Sequence, residues 1–552
     1  MDSTAEKPSV TDQIHQKDNG VKKIGKDEQH VSVQPSSSSR KTKKTSTKKA
    51  IDPEMLTPEY IEEQRRLREL RKQQKRTSNE ALGKKSPSPK KDIFIKRPML
   101  ALPGTDSLDE PEFRVKIMSY NILAQSLIRR TLFPTNGAAL KWPNRSKALL
   151  EEFKHYNADI LCLQEVDVIQ FKSFWSKEFD KLGYSHKFYS CGTKNHGVAI
   201  IFRKDMFIFR YQTVINYDKE DTDPSDNIEL PPPRTITQNI GLLAFLEFTP
   251  AVLKKYPKVR ERNGLIIGTT HMFWHPFGTF ERTRQAFLVL YKYKQFMKTL
   301  STTIGNSKNF YTFFSGDMNS QPYDCPYLSI TAKPVSYDSR AKNVITCALS
   351  YQYSKRRNSL EVKDGGNDEE NLAKKLVEDD DSKEEEEDSE HSEENDDNDE
   401  EDAMDKPNPT ETEPEFYEGT SEEQKLVKSI QDAHNALDMR AISLYAVGYK
   451  QVHPNNSGLD NNRNEPMFSN WANSWRGLLD YIFVISRWDA GKEDLASRVD
   501  SPLEVEQNQG VRLVKLLRMP EPKEMGPEPS GQPRLNQYPS DHLCLIAEVE
   551  LV

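Results

Sequence analysis

Short apolar runs with strand character recur from about residue 110 to the end of the chain, and segments of helical periodicity lie between them. Strands are predicted at 114–118, 159–164, 197–203, 240–248, 264–272, 310–315, 440–447, 479–485 and 543–549. Apolar residues at three- to four-residue spacing predict helices over Arg145–Tyr156 and Arg282–Thr299. About ten strands with interspersed helices predict an α/β fold, a sandwich of two sheets with helices on the outer faces.

Two polar segments interrupt or precede this pattern. Residues 1–92 are rich in Lys, Ser and Thr and predict a disordered basic arm with one helix, Pro58–Arg76, capped by Thr57. Residues 355–422 are charged and of low complexity, which predicts a disordered acidic insertion in a domain of residues 93–552. A further segment, 503–538, has the Pro and Gly content of irregular structure.

Charge is unevenly distributed along the chain. The net charge is −7, but the run 378–402 holds 18 carboxylates and one Lys, a local charge of −17, so the remainder carries +10. A basic remainder is what a polyanion-binding protein needs. The basic arm therefore predicts nuclear import or contacts with RNA and ribonucleoprotein surfaces, with an inert solubilising tail as the alternative.

Composition limits the location and class of the protein. The chain is 35% hydrophobic and 30% charged, and no apolar run approaches the roughly 20 residues that span a bilayer. Its N-terminus lacks a signal-peptide core, and its five cysteines are scattered without a CxxC pair. We therefore expect a reduced, intracellular protein of the cytoplasm, the nucleus or both, with no membrane contact and no structural zinc.

Six short polar signatures stand beside apolar runs. They are Ser-Tyr-Asn at 119–121, Leu-Gln-Glu at 163–165, Thr-His at 270–271, Gly-Asp-Met-Asn at 316–319, Leu-Asp-Tyr at 479–481 and Ser-Asp-His at 540–542. Strand ends are where a sheet gathers residues that are distant in sequence onto one edge. Carboxylates, imidazoles and amides converging there predict a metal-dependent site for a phosphate group.

Glu165 is the best candidate metal ligand. It ends the apolar strand Ile160–Leu163, where an unpaired carboxylate is costly unless a cation or donor meets it. Magnesium suits a site of one or two carboxylates, waters and substrate phosphate. The alternative for Glu165 taken alone is an ordinary salt bridge at a strand end.

Two other signatures predict proton-transfer and phosphate-binding groups. Asp317 and Asn319, two residues apart in extended chain, should point the same way after a tight turn at Gly316. His542 can hydrogen-bond or protonate phosphate oxygens, and Asp480 can fix its tautomer. Each alone has a common structural alternative, a Gly-Asp turn or a structural His.

The ordered series of signatures resembles the endonuclease/exonuclease/phosphatase superfamily, whose fold is deoxyribonuclease I-like. The resemblance covers residues 94–552 outside the acidic insertion. Thr270–Pro276 with Glu281, Arg284 and Gln285 resembles the carbon-catabolite-repressor-type deadenylases and nocturnin, as do Asn239 and Glu465–Asn470. The segments YNILAQSLIRRTLFP, KNHGVAIIFR, MRAISLYAVGYKQVHP and NWANSWRGLLDYIF resemble the fungal Ngl-type RNA exonucleases, which implies maturation of 5.8S rRNA 3′ ends.

The resemblance also implies roles for individual residues. The implied metal ligands for magnesium, or manganese in its place, are Glu165, Asn121 and Asp541. The implied catalytic residues are Asp317, His542, Asp480, His271 and Asn319. The implied substrate contacts are Asn239, Asn319, Pro276 and Trp475, the last two clamping the terminal base; Trp475 stands where the deadenylases have Phe, which puts strict adenine preference in doubt.

We therefore expect a magnesium-dependent 3′-to-5′ exoribonuclease that trims single-stranded RNA 3′ ends, pre-ribosomal RNA among them, and releases nucleoside 5′-monophosphates. Three alternatives remain open at this point: a poly(A)-specific deadenylase, a phosphatase acting on a small nucleotide or inositide, and an RNA-binding scaffold with a decayed site.

Overall fold

The computed structural model of the chain describes residues 92–105, 112–129, 132–133, 136–304, 310–353, 415–458, 463–472, 475–489, 498–525 and 531–552, together with Arg66. Apart from Arg66, these residues lie in one unit, Pro89–Val552. Apart from Arg66 and Asp92, the predicted arm with its helix lies outside the described residues, as does the predicted insertion up to residue 414. Residues 415–422 are described, and a helix begins at Ser421.

The strands, in chain order, are β1 Met99–Ala101, β2 Phe113–Asn121, β3 Ile160–Asp167, β4 Tyr184–Ser190, β5 His196–Arg203, β6 Phe207–Asn216, β7 Ile240–Phe248, β8 Gly264–His271, β9 Tyr311–Asp317, β10 Met439–Ser443, β11 Asn470–Ala472, β12 Trp475–Gly477, β13 Asp480–Arg487, β14 Val511–Leu517 and β15 Leu545–Leu551. The helices are α1 Trp142–Tyr156, α2 Val168–Gln170, α3 Ser176–Lys181, α4 Pro250–Lys255, α5 Thr279–Ile304, α6 Cys325–Thr331, α7 Ser339–Ser350, α8 Ser421–Ala436, α9 Leu444–Val452 and α10 Pro502–Gln509.

Two mixed sheets form the frame. One has the order β1-β14-β15-β2-β3-β5-β4 and the other β10-β13-β9-β8-β7-β6, while β11 and β12 pair separately. The only parallel neighbours among the described strands are β2 with β3 and β8 with β9. This arrangement confirms the predicted two-sheet α/β sandwich.

Alternation along each strand places the core in three layers. Val115 and Ile117 of β2 pack between the sheets with Phe313 of β9, whereas Tyr120 and Phe314 face outward to other clusters. Helix α1 covers the first sheet and helix α5 covers the second. The described segments contain no helix that combines the length and the apolar character needed to cross a bilayer.

The structure differs from two of the predicted elements. The run 440–447 is not one strand, because the Ser443 side chain accepts a hydrogen bond from the Ala446 backbone N–H and starts helix α9. The predicted irregular segment 503–538 contains most of α10 and all of β14. Strand β14 is stabilised by partners distant in sequence, β1 and β15, so local composition did not reveal it.

Candidate active site

The topology brings the signatures to one edge of the sandwich. The parallel pairs β2–β3 and β8–β9 end together, so His271 lies opposite Asp317. Strand β13 runs antiparallel to β9 and begins at the same level, which places Asp480 opposite Asp317. Asp480 therefore opens a strand, close to the start of the run predicted over 479–485. His542 precedes β15, which runs antiparallel to β2.

Asn121 joins the two sheets at the centre of this edge. Its side-chain Nδ2 donates to Glu165 Oε1 at 2.8 Å and to Asp317 Oδ2 at 3.0 Å. His271 Nε2 lies 3.5 Å from Asp317 Oδ2 and 3.9 Å from Glu165 Oε1. Four predicted residues from four strands thus form one polar cluster.

Glu165 owes its direction to an irregularity in β3. The register with β5 shifts between Leu163 and Val166, and Glu165 has a φ of 52°, a value uncommon for a side-chain-bearing residue. Its Oε2 accepts a hydrogen bond from the Ala124 backbone N–H at 3.0 Å. Burial by itself raises the pKa of Glu165, but the interaction with His271 and the hydrogen bond from the Asn121 amide act against burial, and the pKa falls to about 2. The carboxylate is therefore ionised and ready for a cation.

His542 and Asp480 form a dyad beside Asp317. His542 Nδ1 lies 2.7 Å from Asp480 Oδ2, which also accepts from the Ser469 hydroxyl at 2.7 Å. His542 Nε2 lies 3.6 Å from Asp317 Oδ2. Burial lowers the pKa of His542, but Asp480 and Asp317 together raise it well above its ordinary value. The imidazole is thus held cationic with Nε2 facing the site.

Asp317 and Asn319 differ from the predicted arrangement. Asp317 Oδ1 accepts from the Asn319 backbone N–H at 2.8 Å, and Asn319 has a φ of 46°. The Asn319 amide donates to the Met272 carbonyl at 2.9 Å, so the two side chains do not point the same way. Gly316 lies within β9 and not in a turn. A Cβ there would stand 2.3 Å from the Thr270 carbonyl oxygen, so Gly316 permits the close approach of β8.

The remaining predicted residues lie around this centre. Asn239 Nδ2 donates to the His271 carbonyl at 2.8 Å, and its buried Oδ1 has no hydrogen-bond partner among the described residues. Asp541 is buried, and burial raises the pKa of its carboxyl; the nearby Glu165 carboxylate raises it further. Pro276 and Trp475 are both half-buried, Pro276 in the loop after β8 and Trp475 at the start of β12.

Three further residues escaped the sequence analysis. Asp167 accepts from the backbone N–H groups of Gln125 and Ser126, and Arg145 donates to the carbonyls of Ile122, Leu123 and Pro539. These contacts position the loop that follows Asn121 and the segment that precedes Ser540.

The third is His196, opposite Asp167 on β5. Burial, with the charge of Lys194, lowers its pKa to about 3 although the Glu165 charge raises it, so this imidazole is neutral. The only signal in the sequence was the position of His196 within KNHGVAIIFR.

The donor set fits a divalent cation with oxygen ligands. Glu165, Asp317, Asp480 and Asp541 all lie here, while the guanidinium of Arg145 is used on backbone carbonyls. Asp317, Asp480 and His542 present ligand atoms within 4.8 Å of one another. Asp480 and His542 are already hydrogen-bonded to each other, so the carboxylate of Glu165 is the better metal ligand. Asn121 would ligate only after its amide turns over, because its oxygen accepts from the Leu123 N–H.

The chain resembles known proteins in sequence and in fold. A profile described as the Endonuclease/Exonuclease/phosphatase family matches residues 118–322. The chain is similar to RNA exonuclease NGL2 of Saccharomyces cerevisiae, with 43% identity covering 96% of each chain. It is also similar to the probable RNA exonuclease NGL3 of that yeast, at 35% identity over 91% of each chain. The crystal structure of ANGEL2, a 2′,3′-cyclic phosphatase, is 17% identical and covers 82% of this chain and 98% of its own, with a TM-score of 0.47.

Proposed function

Because the chain belongs to the endonuclease/exonuclease/phosphatase family, we propose that it is a magnesium-dependent 3′-to-5′ exoribonuclease. It removes nucleoside 5′-monophosphates from single-stranded RNA 3′ ends inside the cell, in the cytoplasm or nucleus. Two relatives of nearly the same length carry the name RNA exonuclease, which supports RNA as the substrate. Resemblance to the Ngl-type branch supports trimming of 5.8S rRNA precursors.

One observation carries the proposal. Groups separated by hundreds of positions, Glu165, Asp317 and His542, meet at one rim through the amide of Asn121 and the dyad with Asp480. This rim combines the Glu165 carboxylate, which can bind a cation, with the hydrogen-bonded imidazolium of His542. The Asp317 carboxylate lies between these two groups. Phosphodiester hydrolysis needs these functions together.

The reaction adds water to the phosphorus of the terminal phosphodiester and breaks the bond from phosphorus to the 3′ oxygen of the preceding nucleotide. Asp317, whose buried carboxyl has a raised pKa, accepts a proton from the attacking water. The cationic His542 and the His271 imidazole bind the non-bridging oxygens. The departing 3′ oxygen takes a proton from solvent water and Asp317 returns its proton to solvent, which leaves a shortened RNA with a 3′ hydroxyl.

Glu165, with Asp541 and a reoriented Asn121, would hold the metal ion. When bound, magnesium neutralises charge on the phosphoryl group and orients water. The protein supplies the fixed geometry: the Ala124 backbone N–H donates to Glu165 Oε2 and holds the carboxylate whichever way the Asn121 amide is turned.

The assay uses purified protein with 5′-labelled poly(A), poly(U) and a 3′-extended 5.8S rRNA fragment, with magnesium or EDTA. We expect a ladder of shortened, labelled RNA and release of nucleoside 5′-monophosphates only with magnesium. Glu165→Gln should lose at least roughly 10²-fold in turnover, while Glu151→Gln on the exposed face of α1 should not. Orthophosphate release without shortening would indicate a phosphatase instead, and full turnover by Glu165→Gln would reject this ligand.

A further inference from the structure

Phe277 is an exposed aromatic ring in the loop that follows β8. Its exposed fraction is 37%, although its neighbours Phe273 and His275 are buried. The ring of Tyr351 stacks on it with centroids 4.9 Å apart and planes 1° from parallel. Tyr351 therefore covers one face of Phe277, and the His275 ring contacts it with centroids 6.1 Å apart, while just over a third of the residue remains exposed to solvent.

Aromatic packing fixes the orientation of this pair. Tyr351 contacts His275, with ring centroids 4.8 Å apart, and Tyr353, with centroids 5.3 Å apart. The Tyr353 hydroxyl hydrogen-bonds to Glu281 Oε2 at 3.0 Å and lies 3.2 Å from the Phe277 carbonyl. The exposed ring is thus supported by a second layer of rings and by a buried carboxyl.

Two arginines anchor the backbones on both sides of the pair. Arg282 donates to the carbonyls of Phe273 and His275, at 3.0 and 2.6 Å. Arg234 donates to the Tyr351 carbonyl at 2.7 Å and pairs with Glu281 at 3.6 Å. An exposed phenyl ring held this firmly has lost its mobility before any ligand binds, which lowers the entropic cost of binding.

The loop is attached to the active site. The Met272 N–H donates to the Asp317 carbonyl, and the Met272 carbonyl accepts from Asn319, both at 2.9 Å. Phe277 follows His271 by six residues, so it lies at most about 20 Å away even in fully extended chain. A strand whose last nucleotide is at the catalytic centre reaches this distance within a few nucleotides.

We propose that Phe277, backed by Tyr351, is a stacking platform for an unpaired base of the RNA strand upstream of the bond that is cut. The inference rests on the proposed function and adds a subsite that is separate from the terminal-base contacts. A flat ring open on one side suits any base, since every base has a π-face, and base–aromatic stacking contributes about 1–3 kcal/mol. The platform therefore binds upstream nucleotides without selecting their sequence.

The first test measures binding of a fluorescent single-stranded RNA decamer in EDTA by Phe277→Ala, Phe277→Leu and Phe277→Tyr. The full chain is used throughout. We expect the Ala and Leu variants to bind roughly tenfold more weakly, within the range of one stacked base, and the Tyr variant to bind as the wild type does. Tyr211→Ala, which removes a ring of 42% exposure on β6, is the matched control.

The second test places an abasic nucleotide at successive positions of the decamer. At one upstream position the abasic RNA should bind the wild type and Phe277→Ala equally, because the stacked base is already gone. With magnesium, KM for the decamer should rise about tenfold in Phe277→Ala at unchanged kcat, whereas cleavage of a dinucleotide should not change.

The outcomes separate this inference from the proposed function. Equal RNA affinity of the wild type and Phe277→Leu overturns the platform even if the protein degrades RNA. So does a weaker affinity of Phe277→Ala than of the wild type at every abasic position, because then no single base is the one that stacks on Phe277. Binding that depends on an aromatic residue at 277, without any RNA shortening, supports the platform and rejects the exoribonuclease.

Discussion

Asn121 illustrates what a single residue does at this site. Both its amide hydrogens are used on carboxylates from different sheets, Glu165 and Asp317. The sequence marks Asn121 as polar at the end of an apolar strand, but its contacts depend on the packing of the two sheets. The same holds for Asn319, whose side chain was expected beside Asp317 and instead donates to Met272. The 2.8 Å hydrogen bond from the Asn319 backbone N–H to the Asp317 side chain stabilises this turn.

Trp475 is the residue for which the base clamp remains a prediction. The ring of Trp475 lies over Gly477, since a Cβ on that glycine would be 2.9 Å from the ring. Trp475→Ala should weaken binding of single-stranded RNA by about 1–3 kcal/mol, roughly 5- to 150-fold, without abolishing turnover at saturation. Trp475→Phe should restore most of the affinity. An unchanged Kd for Trp475→Ala, measured by fluorescence anisotropy, would count against the clamp.

At the scale of elements, the sandwich depends on close contacts between strands at the active-site edge. The bulge in β3 turns Glu165 toward Asn121, and the glycine in β9 allows β8 to approach. Neither feature has a strong sequence signature. Nine of the fifteen described strands coincide at least in part with the predicted runs, because alternation of apolar residues is a local property, whereas β1, β4, β6, β11, β12 and β14 do not.

Gly316 offers a test of strand approach. An added Cβ meets Thr270 backbone atoms at 2.3 and 3.0 Å, so Gly316→Ala should push β8 away from β9 and move His271 relative to Asp317. We expect destabilisation of about 1–3 kcal/mol and a larger loss of kcat than unfolding explains. Gly448→Ala in α9, whose Cβ would meet the Leu513 side chain at 2.5 Å, is the control. The free energy of unfolding, from denaturant titration, and kcat are measured for both variants. Equal losses of kcat in Gly316→Ala and Gly448→Ala would show that the close approach of β8 to β9 does not control catalysis.

Glu465 links α6 to the end of β10 and makes stability depend on pH. Burial raises the pKa of its carboxyl from 4.5 to about 7, and the Tyr327 hydroxyl donates to it at 2.8 Å. Between these values the folded state keeps a proton that the unfolded state has lost. This group therefore stabilises the fold fully below pH 4.5, and that stability is lost as pH rises through 7.

Replacement of Glu465 by Gln should remove this pH dependence while keeping an acceptor for Tyr327. From the shift of Glu465 we expect Glu465→Gln to gain up to about 3 kcal/mol over the wild type on going from pH 4.5 to pH 8. Thermal unfolding of both proteins at the two pH values measures the gain. Parallel changes of Tm in the two proteins would show that Glu465 does not titrate in this range.

At the scale of the whole molecule, opposite charges are segregated along the chain. Residues 1–91 contain 22 Lys and Arg against 13 Asp and Glu, a net charge of +9, which is nearly all of the +10 that remains outside the acidic run. The charge that would attract RNA over a distance thus lies in the arm. The active-site rim contributes local chemistry.

Deletion of residues 1–91 should weaken RNA binding and flatten its dependence on salt. Each phosphate neutralised on a single strand contributes about 0.7 to the slope of log K against log salt concentration. Kd values between roughly 50 and 200 mM salt give the slope, and kcat on a short oligonucleotide should not change. Replacing the carboxylates of 378–402 by amides should strengthen binding. Identical slopes for all three proteins would show that the arm does not contact RNA.

The sequence by itself determined the family, the two-sheet sandwich and most of the residues at the catalytic edge, because alternation and short polar signatures are encoded within a few positions. Tertiary structure alone decided the contacts of those residues. The amide of Asn121 depends on the packing of the two sheets against each other. The φ of Glu165, the turn at Asn319 and the contacts of His196 and Arg145 depend on strands and loops that are distant in the sequence. Such contacts arise from the geometry of packing between strands, which no local pattern of residues specifies.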